Sequence, residues 1–304
     1  MKDLIPIIII NYQHPANTLE CLESIRSEDD IDQLKPVVVD ASPNQDLKNQ
    51  LSSKFDDWVD YLPLEKNLGF SGANNVGIHY SLEKYQPKTV ILLNDDTKIG
   101  AKALTNLHQK LNQDQKTAAL APKIYFYPGE EYQTGYQTDE LGKVIWYAGG
   151  EIDWTEVLGF HRGIDEVDRG QFDNAMPTKF ATGCCLALNT SALQEVGVFN
   201  DDYFLYLEDL DLSIRFQQAG WKTGYEPSSV IWHKNAGSSG AGSKLHQYYQ
   251  TRNRFLFGFK YAPWRTKLFL LKHLLIQYRH GTGTTRQAIQ DFILERYGQR
   301  IDIH

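Results

Sequence analysis

Cysteine is scarce in this chain: Cys21, Cys184 and Cys185 are the only three, an odd number with one adjacent pair. That supports no disulfide framework, and no Cys-x-x-Cys spacing is present to hold zinc. A reducing, cytoplasmic setting is the expectation. Cationic charge is not in excess either, since 31 Lys and Arg against 38 Asp and Glu leave a net charge of −7. A whole-surface attraction to nucleic acid is thereby excluded. Long apolar runs are missing as well. Ile5-Pro6-Ile7-Ile8-Ile9-Ile10 is far shorter than a secretory core or the roughly 20 residues of a membrane span. Leu268 to Ile276 is broken by Lys272 and His273, which would sit at the costly centre of a bilayer. No transmembrane helix is expected. A dinucleotide fingerprint is also absent: where GxGxxG would follow the first strand, the chain has Asn11-Tyr12-Gln13-His14-Pro15.

What is present is periodic. Residues 4 to 10, Pro36-Val37-Val38-Val39-Asp40 and Thr89-Val90-Ile91-Leu92-Leu93-Asn94 are apolar on both faces and end in a polar residue, as central strands of a parallel sheet do. Between them lie helical stretches, Ala16 to Ser27 after Pro15, with Leu19, Leu22 and Ile25 spaced by three, and Asn74 to Leu82 after a glycine-rich turn. The alternation predicts an α/β fold with a doubly wound sheet and ligands at the carboxyl ends of its strands. Asn11, Asp40 and Asn94-Asp95-Asp96 should therefore converge on one crevice. From 121 to 180 the pattern turns irregular and aromatic, which suggests strands and long loops shaping a site. Trp221 to His233 has the pattern of one or two strands, Gly237 to Gly242 that of a flexible loop, and 244 to 298 that of helices.

Several segments carry chemistry. Asp95 and Asp96 at a strand end can hold Mg²⁺ or Mn²⁺ through oxygen, or they are a solvated turn. In Asn67-Leu68-Gly69-Phe70-Ser71-Gly72-Ala73-Asn74-Asn75, Gly69 and Gly72 permit close backbone approach. Asn74 and Asn75 are expected to open a helix whose free amides meet sugar or phosphate. Leu207, Leu210 and Ile214 make one apolar helix face with Glu208 and Asp209 in the first turn, where they either complement the helix dipole or take a proton from a hydroxyl. Asp211 and Arg215 are expected to pair on that helix's surface. His233, at a strand end, is either structural or a nitrogen ligand. Arg252 can grip phosphate oxygens, while Arg254 suits a salt-bridged helix start. Arg265, Lys267, Lys272, Arg279 and Arg286 alternate with leucines and aromatics, and packing on the catalytic domain is preferred over membrane contact for this helix.

In order, Asp40, Asn67 to Ile78, Asn94-Asp95-Asp96, Phe180-Ala181-Thr182-Gly183-Cys184, Tyr206 to Leu212, Trp232-His233 and Tyr249 to Asn253 resemble glycosyltransferase family 2. The closest likeness is to its bacterial rhamnosyltransferase-like members, over roughly residues 4 to 260. The resemblance implies the GT-A fold, a mostly parallel central sheet flanked by helices, with a 1–260 catalytic domain and a 261–304 helical extension. It implies Mg²⁺ or Mn²⁺, a nucleotide-diphosphate sugar donor, a saccharide or lipid-linked saccharide acceptor and an inverting single displacement. Asp40 would then contact the nucleoside and Asp95 the ribose or donor sugar. Asp96 and His233 would hold the metal, and Asp209 would be the base, with Glu208 as its substitute. Asn11, Asn67, Gly69, Gly72, Asn74 and Arg252 complete the expected donor site. Asn94 departs from the family's usual first aspartate. A nucleotidyltransferase and a non-catalytic sugar-nucleotide-binding module are the alternatives.

Overall fold

The structure is a computed structural model that describes residues 4–43, 45–234 and 242–300. In chain order the first half runs β1 (Ile5–Asn11), α1 (Pro15–Arg26), β2 (Leu34–Asp40), α2 (Gln45–Phe55), β3 (Asp60–Pro63), α3 (Gly69–Tyr85), β4 (Thr89–Asn94), β5 (Thr97–Ile99), α4 (Ala103–Gln113) and β6 (Thr117–Phe126). The second half runs β7 (Ile145–Tyr147), β8 (Gly150–Asp153), β9 (Leu158–His161), β10 (Met176–Pro177), β11 (Cys185–Asn189), α5 (Thr190–Val196), α6 (Glu208–Gln218), β12 (Lys222–His233), α7 (Lys244–Tyr261), α8 (Trp264–His280) and α9 (Gly283–Ile293). The loop expected at Gly237 to Gly242 lies outside the described residues except for Gly242.

One sheet dominates, in the order β10-β12-β6-β11-β4-β1-β2-β3, with β5 on β12 and β7 on β6. β3, β2, β1 and β4 are parallel, as their two-sided apolar runs demand. Ile5, Ile7, Ile8, Ile9, Val37, Val38 and Val39 are all buried, each contributing about 1.5–3 kcal/mol of hydrophobic stabilisation. Helix α3 packs over β1 and β2, and Gly77 makes this close: a Cβ there would lie 2.5 Å from Cγ2 of Ile8. β11 runs antiparallel to both neighbours, β4 and β6, so the sheet is mixed rather than parallel throughout.

Two expectations are corrected at this level. Helix α3 begins at Gly69, five residues earlier than Asn74, because Gly69 adopts φ +70° and turns the chain directly into the helix. Asn74 and Asn75 therefore sit inside the helix and not at its mouth. Asp211 and Arg215 do pair, at 2.7 Å, but the carboxylate is fully buried and also meets Lys260 at 2.8 Å and the Tyr261 hydroxyl at 2.7 Å. The residues after α9 turn back toward the rest of the chain: the carbonyl of Gly298 accepts from Arg252, and Gln299 and Arg300 reach the main cavity. Among the described residues no helix is long and apolar enough to cross a membrane, and all three cysteines are buried free thiols.

Candidate active site

The strand ends build one side of the site. β4 stops at Asn94, whose amide is held by the carbonyl of Cys184 at 2.8 Å, and Asp95-Asp96 turn the chain into β5. β5 pairs antiparallel with the end of β12, setting His233 opposite Thr97, and the amide of Lys234 donates to the carbonyl of Asp96 at 2.8 Å. This register brings residues 137 positions apart into contact: Nε2 of His233 lies 3.1 Å from Oδ1 of Asp96, both side chains nearly buried. The ring of Trp146 stands between two imidazoles, 4.6 Å from His233 and 4.3 Å from His161. Nδ1 of His233 is buried and has no hydrogen-bond partner among the described residues, so the ring is held by its contact with Trp146 and by the approach of Asp96 to Nε2. His161 is itself held neutral, its pKa pushed down by burial to about 4, with Nδ1 bonded to the Trp146 carbonyl at 3.0 Å. Burial and the neighbouring Asp96 push the Asp95 carboxyl up to about 7, while the Thr18 hydroxyl donates to it at 3.2 Å.

The other contributor is the segment entering α6. Phe204, Tyr206 and Leu207 all have positive φ, 63°, 71° and 70°, which side-chain-bearing residues adopt only when their surroundings impose it. Two residues of α7 impose it. Asn253 donates its amide to the carbonyls of Tyr203, Leu205 and Tyr206 at 2.9, 2.6 and 2.9 Å, and Arg252 donates to those of Asp202 and Tyr203 at 2.7 and 2.9 Å. The segment delivers Glu208 and Asp209 to the first turn of α6, as their spacing predicted.

The two carboxyls differ in kind. Asp209 accepts from the backbone amides of Gly183 at 3.0 Å and Leu210 at 2.9 Å, whereas Oε2 of Glu208 is buried without a hydrogen-bond partner among the described residues. Burial raises both above the usual carboxylate range, and the charge of Asp209 raises Glu208 further. Donated hydrogen bonds favour an ionised carboxylate. The two amides thus offset part of the upward push on Asp209, while Glu208, with no such donor and the Asp209 charge beside it, is raised further.

Asn67, Gly69, Asp95, Asp96, Glu208, Asp209 and His233 all line one cavity of about 730 Å³, a size suited to a small-molecule ligand. Five of the expected donor residues lie elsewhere. Asn74 is turned into its own helix, its amide donating to the carbonyl of Phe70 at 3.0 Å. Gly72 faces Leu68 and Asp201, so it serves close packing. Asp40 is wholly buried and accepts from Asn11 at 2.7 Å, Tyr61 at 2.7 Å and the Ser42 amide at 3.1 Å, a latch across the ends of β1, β2 and β3. Arg252 is wholly buried among backbone carbonyls and stacks on Tyr248 and Tyr249, which leaves it unable to grip phosphate from where it stands. Asn11 lines a smaller neighbouring cavity of about 490 Å³ with Gln13 and Ser42. The first amides of α3 are also engaged, since Phe70 and Ser71 donate to the carbonyl of Phe204 at 2.8 and 3.4 Å. Trp146, His161, Gln299 and Arg300 line the main cavity without having been singled out as site residues.

Comparison with known proteins decides the family. The model of glycosyl transferase family 2 matches residues 7–197, and that of glycosyl transferase family group 2 matches 153–290. The chain belongs to glycosyl transferase family 2. Among curated relatives of this family 2 chain, the N-acetylglucosaminyl-diphospho-decaprenol L-rhamnosyltransferase of Mycobacterium tuberculosis is 26% identical over 301 residues, covering 91% of this chain and 94% of its own. The low-salt glycan biosynthesis hexosyltransferase Agl10 of Haloferax volcanii is 26% identical over 257 residues, covering 84% of this chain and 76% of its own. Among solved structures, GalNAc-T7 with UDP, GalNAc and Mn²⁺ superposes with a TM-score of 0.60 at 16% identity, covering 96% of this chain. This chain spans 57% of that structure's chain. The fold of this family 2 glycosyltransferase is GT-A.

Proposed function

We propose that this glycosyltransferase moves a sugar, rhamnose by its likeness to the mycobacterial enzyme, from a nucleotide-diphosphate donor to a hydroxyl of a saccharide or lipid-linked saccharide, with inversion. The observation that carries the reading is that Asp96 and His233 share one cavity with Asp209 and Glu208, although each pair comes from a different part of the chain.

A divalent cation fits the first pair. Two donors 3.1 Å apart match neighbouring positions around one small ion whose bonds are roughly 2.0–2.2 Å. Among the described residues no three His, Cys, Asp or Glu side chains gather for a complete protein cage. That sparseness suits Mg²⁺ or Mn²⁺ completed by substrate phosphates. When bound, the cation would supply neutralisation of the departing diphosphate. Asp209, ionised and held by two backbone amides, takes the proton of the attacking hydroxyl as that oxygen approaches the anomeric carbon from the face opposite the leaving group. Glu208 shares the cavity and stays protonated beside it. Asp95 and Asn67 lie where they can position the donor. We assign catalysis to 1–260 and a supporting role to 261–304, whose last described residues reach the cavity.

The test is a panel of nucleotide sugars with Mg²⁺ or Mn²⁺, scored for the nucleotide released and the anomeric configuration of the product. Free nucleoside diphosphate and an inverted product are expected. Release of sugar 1-phosphate in place of nucleoside diphosphate would mean nucleotidyl transfer, and a retained configuration would end the single-displacement mechanism.

A further inference from the structure

Helix α8 buries only Leu270 and Leu274. Along its outside run Trp264, Leu268, Leu271, Leu275 and Tyr278, spaced alternately by four and three, which places them in one stripe. All five are exposed, from 41% for Tyr278 to 67% for Trp264. Phe269 and Ile276 are exposed on the other flank, and between the two apolar lines stand Arg265, Lys272 and Arg279, each seven residues from the next. A solvent-facing apolar strip of this length on one helix marks a surface that something covers.

Charge identifies the occupant. Although the chain carries a net charge of −7, the stretch from 227 to 290 contains no Asp or Glu and ten Lys or Arg. A second copy laid against α8 would bring the same cations to the contact, with no carboxylate in that stretch to meet them. An anionic lipid surface offers what both parts require, acyl chains for the leucines and aromatics and headgroups for the cations, whose long stems let the charge stay at the interface. We infer that α8 is an in-plane docking helix that holds the enzyme on an anionic bilayer. It runs on from α7, whose other end supplies Leu245 and Tyr249 to the catalytic cavity. The inference stands on the α8 surface and holds whether or not the donor is rhamnosyl.

The test sediments the full chain with vesicles of equimolar phosphatidylglycerol and phosphatidylcholine, and with phosphatidylcholine alone. Binding is expected to the first, with release at about 1 M salt, where the Debye length is about 3 Å. R265Q/K272Q/R279Q should weaken partitioning on the order of a hundredfold, and L268S/L275S should weaken it at any salt. Both variants alter exposed side chains, so an unchanged melting temperature and unchanged transfer to a water-soluble acceptor are expected alongside. Absence of sedimentation, or wild-type partitioning by the charge variant, would overturn the inference. So would light scattering that shows a dimer which L268S/L275S splits into monomers.

Discussion

The ends of β1 and β4 and the segment entering α6 all carry polar residues to the same cavity, but they are held there by different means. The strand ends are positioned by ladders: Ile10 pairs with Val39 on one side and Asn94 on the other, so the residues just past them arrive together with unstrained backbone. The α6 entry is positioned by a clamp. Its three left-handed residues keep their conformation because Arg252 and Asn253 hold the carbonyls of Tyr203, Leu205 and Tyr206 around them. A periodic element places a side chain wherever its sequence is kept, whereas a clamped loop fails when a distant partner is changed.

The largest effect expected is at the tip of the clamped segment. Asp209→Asn should lower transfer about a thousandfold while leaving donor affinity within a few-fold, measured by initial rates and calorimetric titration. Undiminished turnover would remove that residue from proton transfer. On the ladder side, Asp96→Ala should cost about a hundredfold and move the activating Mn²⁺ concentration upward, with little change in thermal stability. If the comparison holds, Arg252→Lys acts differently. It loses the fork that spans the carbonyls of Asp202, Tyr203 and Gly298 and should destabilise the fold by about 2–4 kcal/mol and lower kcat, with donor KM unaffected. A rise in donor KM at an unchanged melting temperature would return Arg252 to phosphate binding. Gly69→Ala probes the seam between the regions, because a Cβ there would lie 2.4 Å from the Phe204 carbonyl and φ is +70°. A loss of about 1–3 kcal/mol and a several-fold fall in kcat are expected.

The smallest effect is in pH. Burial raises the Asp209 carboxyl above the ordinary aspartate value of ~3.9, and the proposed mechanism requires its ionised form. Transfer at saturating cation should therefore rise with pH through a limb above that value and be lost as pH falls through it. The sign for stability is opposite: a carboxyl with a raised folded pKa favours the folded state below its unfolded value and withdraws that contribution as pH increases through the folded one. A limb at the ordinary aspartate value would show that Asp209 is better hydrated in solution than its surroundings imply.

Legibility in the sequence divides along the same line. β1, β2 and β4 were readable because apolar runs specify buried strands, and Asn94-Asp95-Asp96 followed as their polar ends. The first turn of α6 was readable because Leu207, Leu210 and Ile214 fix its phase. The start of α3 was not, since glycines that usually mark a turn here begin a helix whose first amides meet Phe204. Arg252 carries a phosphate binder's chemistry in a place where only tertiary contacts reveal that backbone carbonyls have claimed it. Asp40 is similar: its strand-end position was foreseen, its latch to Asn11 and Tyr61 was not. Trp146 and His161 gave only a diffuse aromatic signal, and Arg300 none, because its approach depends on how α9 turns the chain back.

The reversed strand β11 has a consequence for how such an enzyme can diversify. Strands that run with the sheet feed the crevice from the segments that follow them, but β11 does so from the one before it, Thr182-Gly183-Cys184. Its carbonyl at Cys184 steadies Asn94 and its amide at Gly183 steadies Asp209. A single short tripeptide thus touches both the end of β4 and the first turn of α6, and on the proposed mechanism a change there would shift Asp95-Asp96 and Asp209 together in one step of descent.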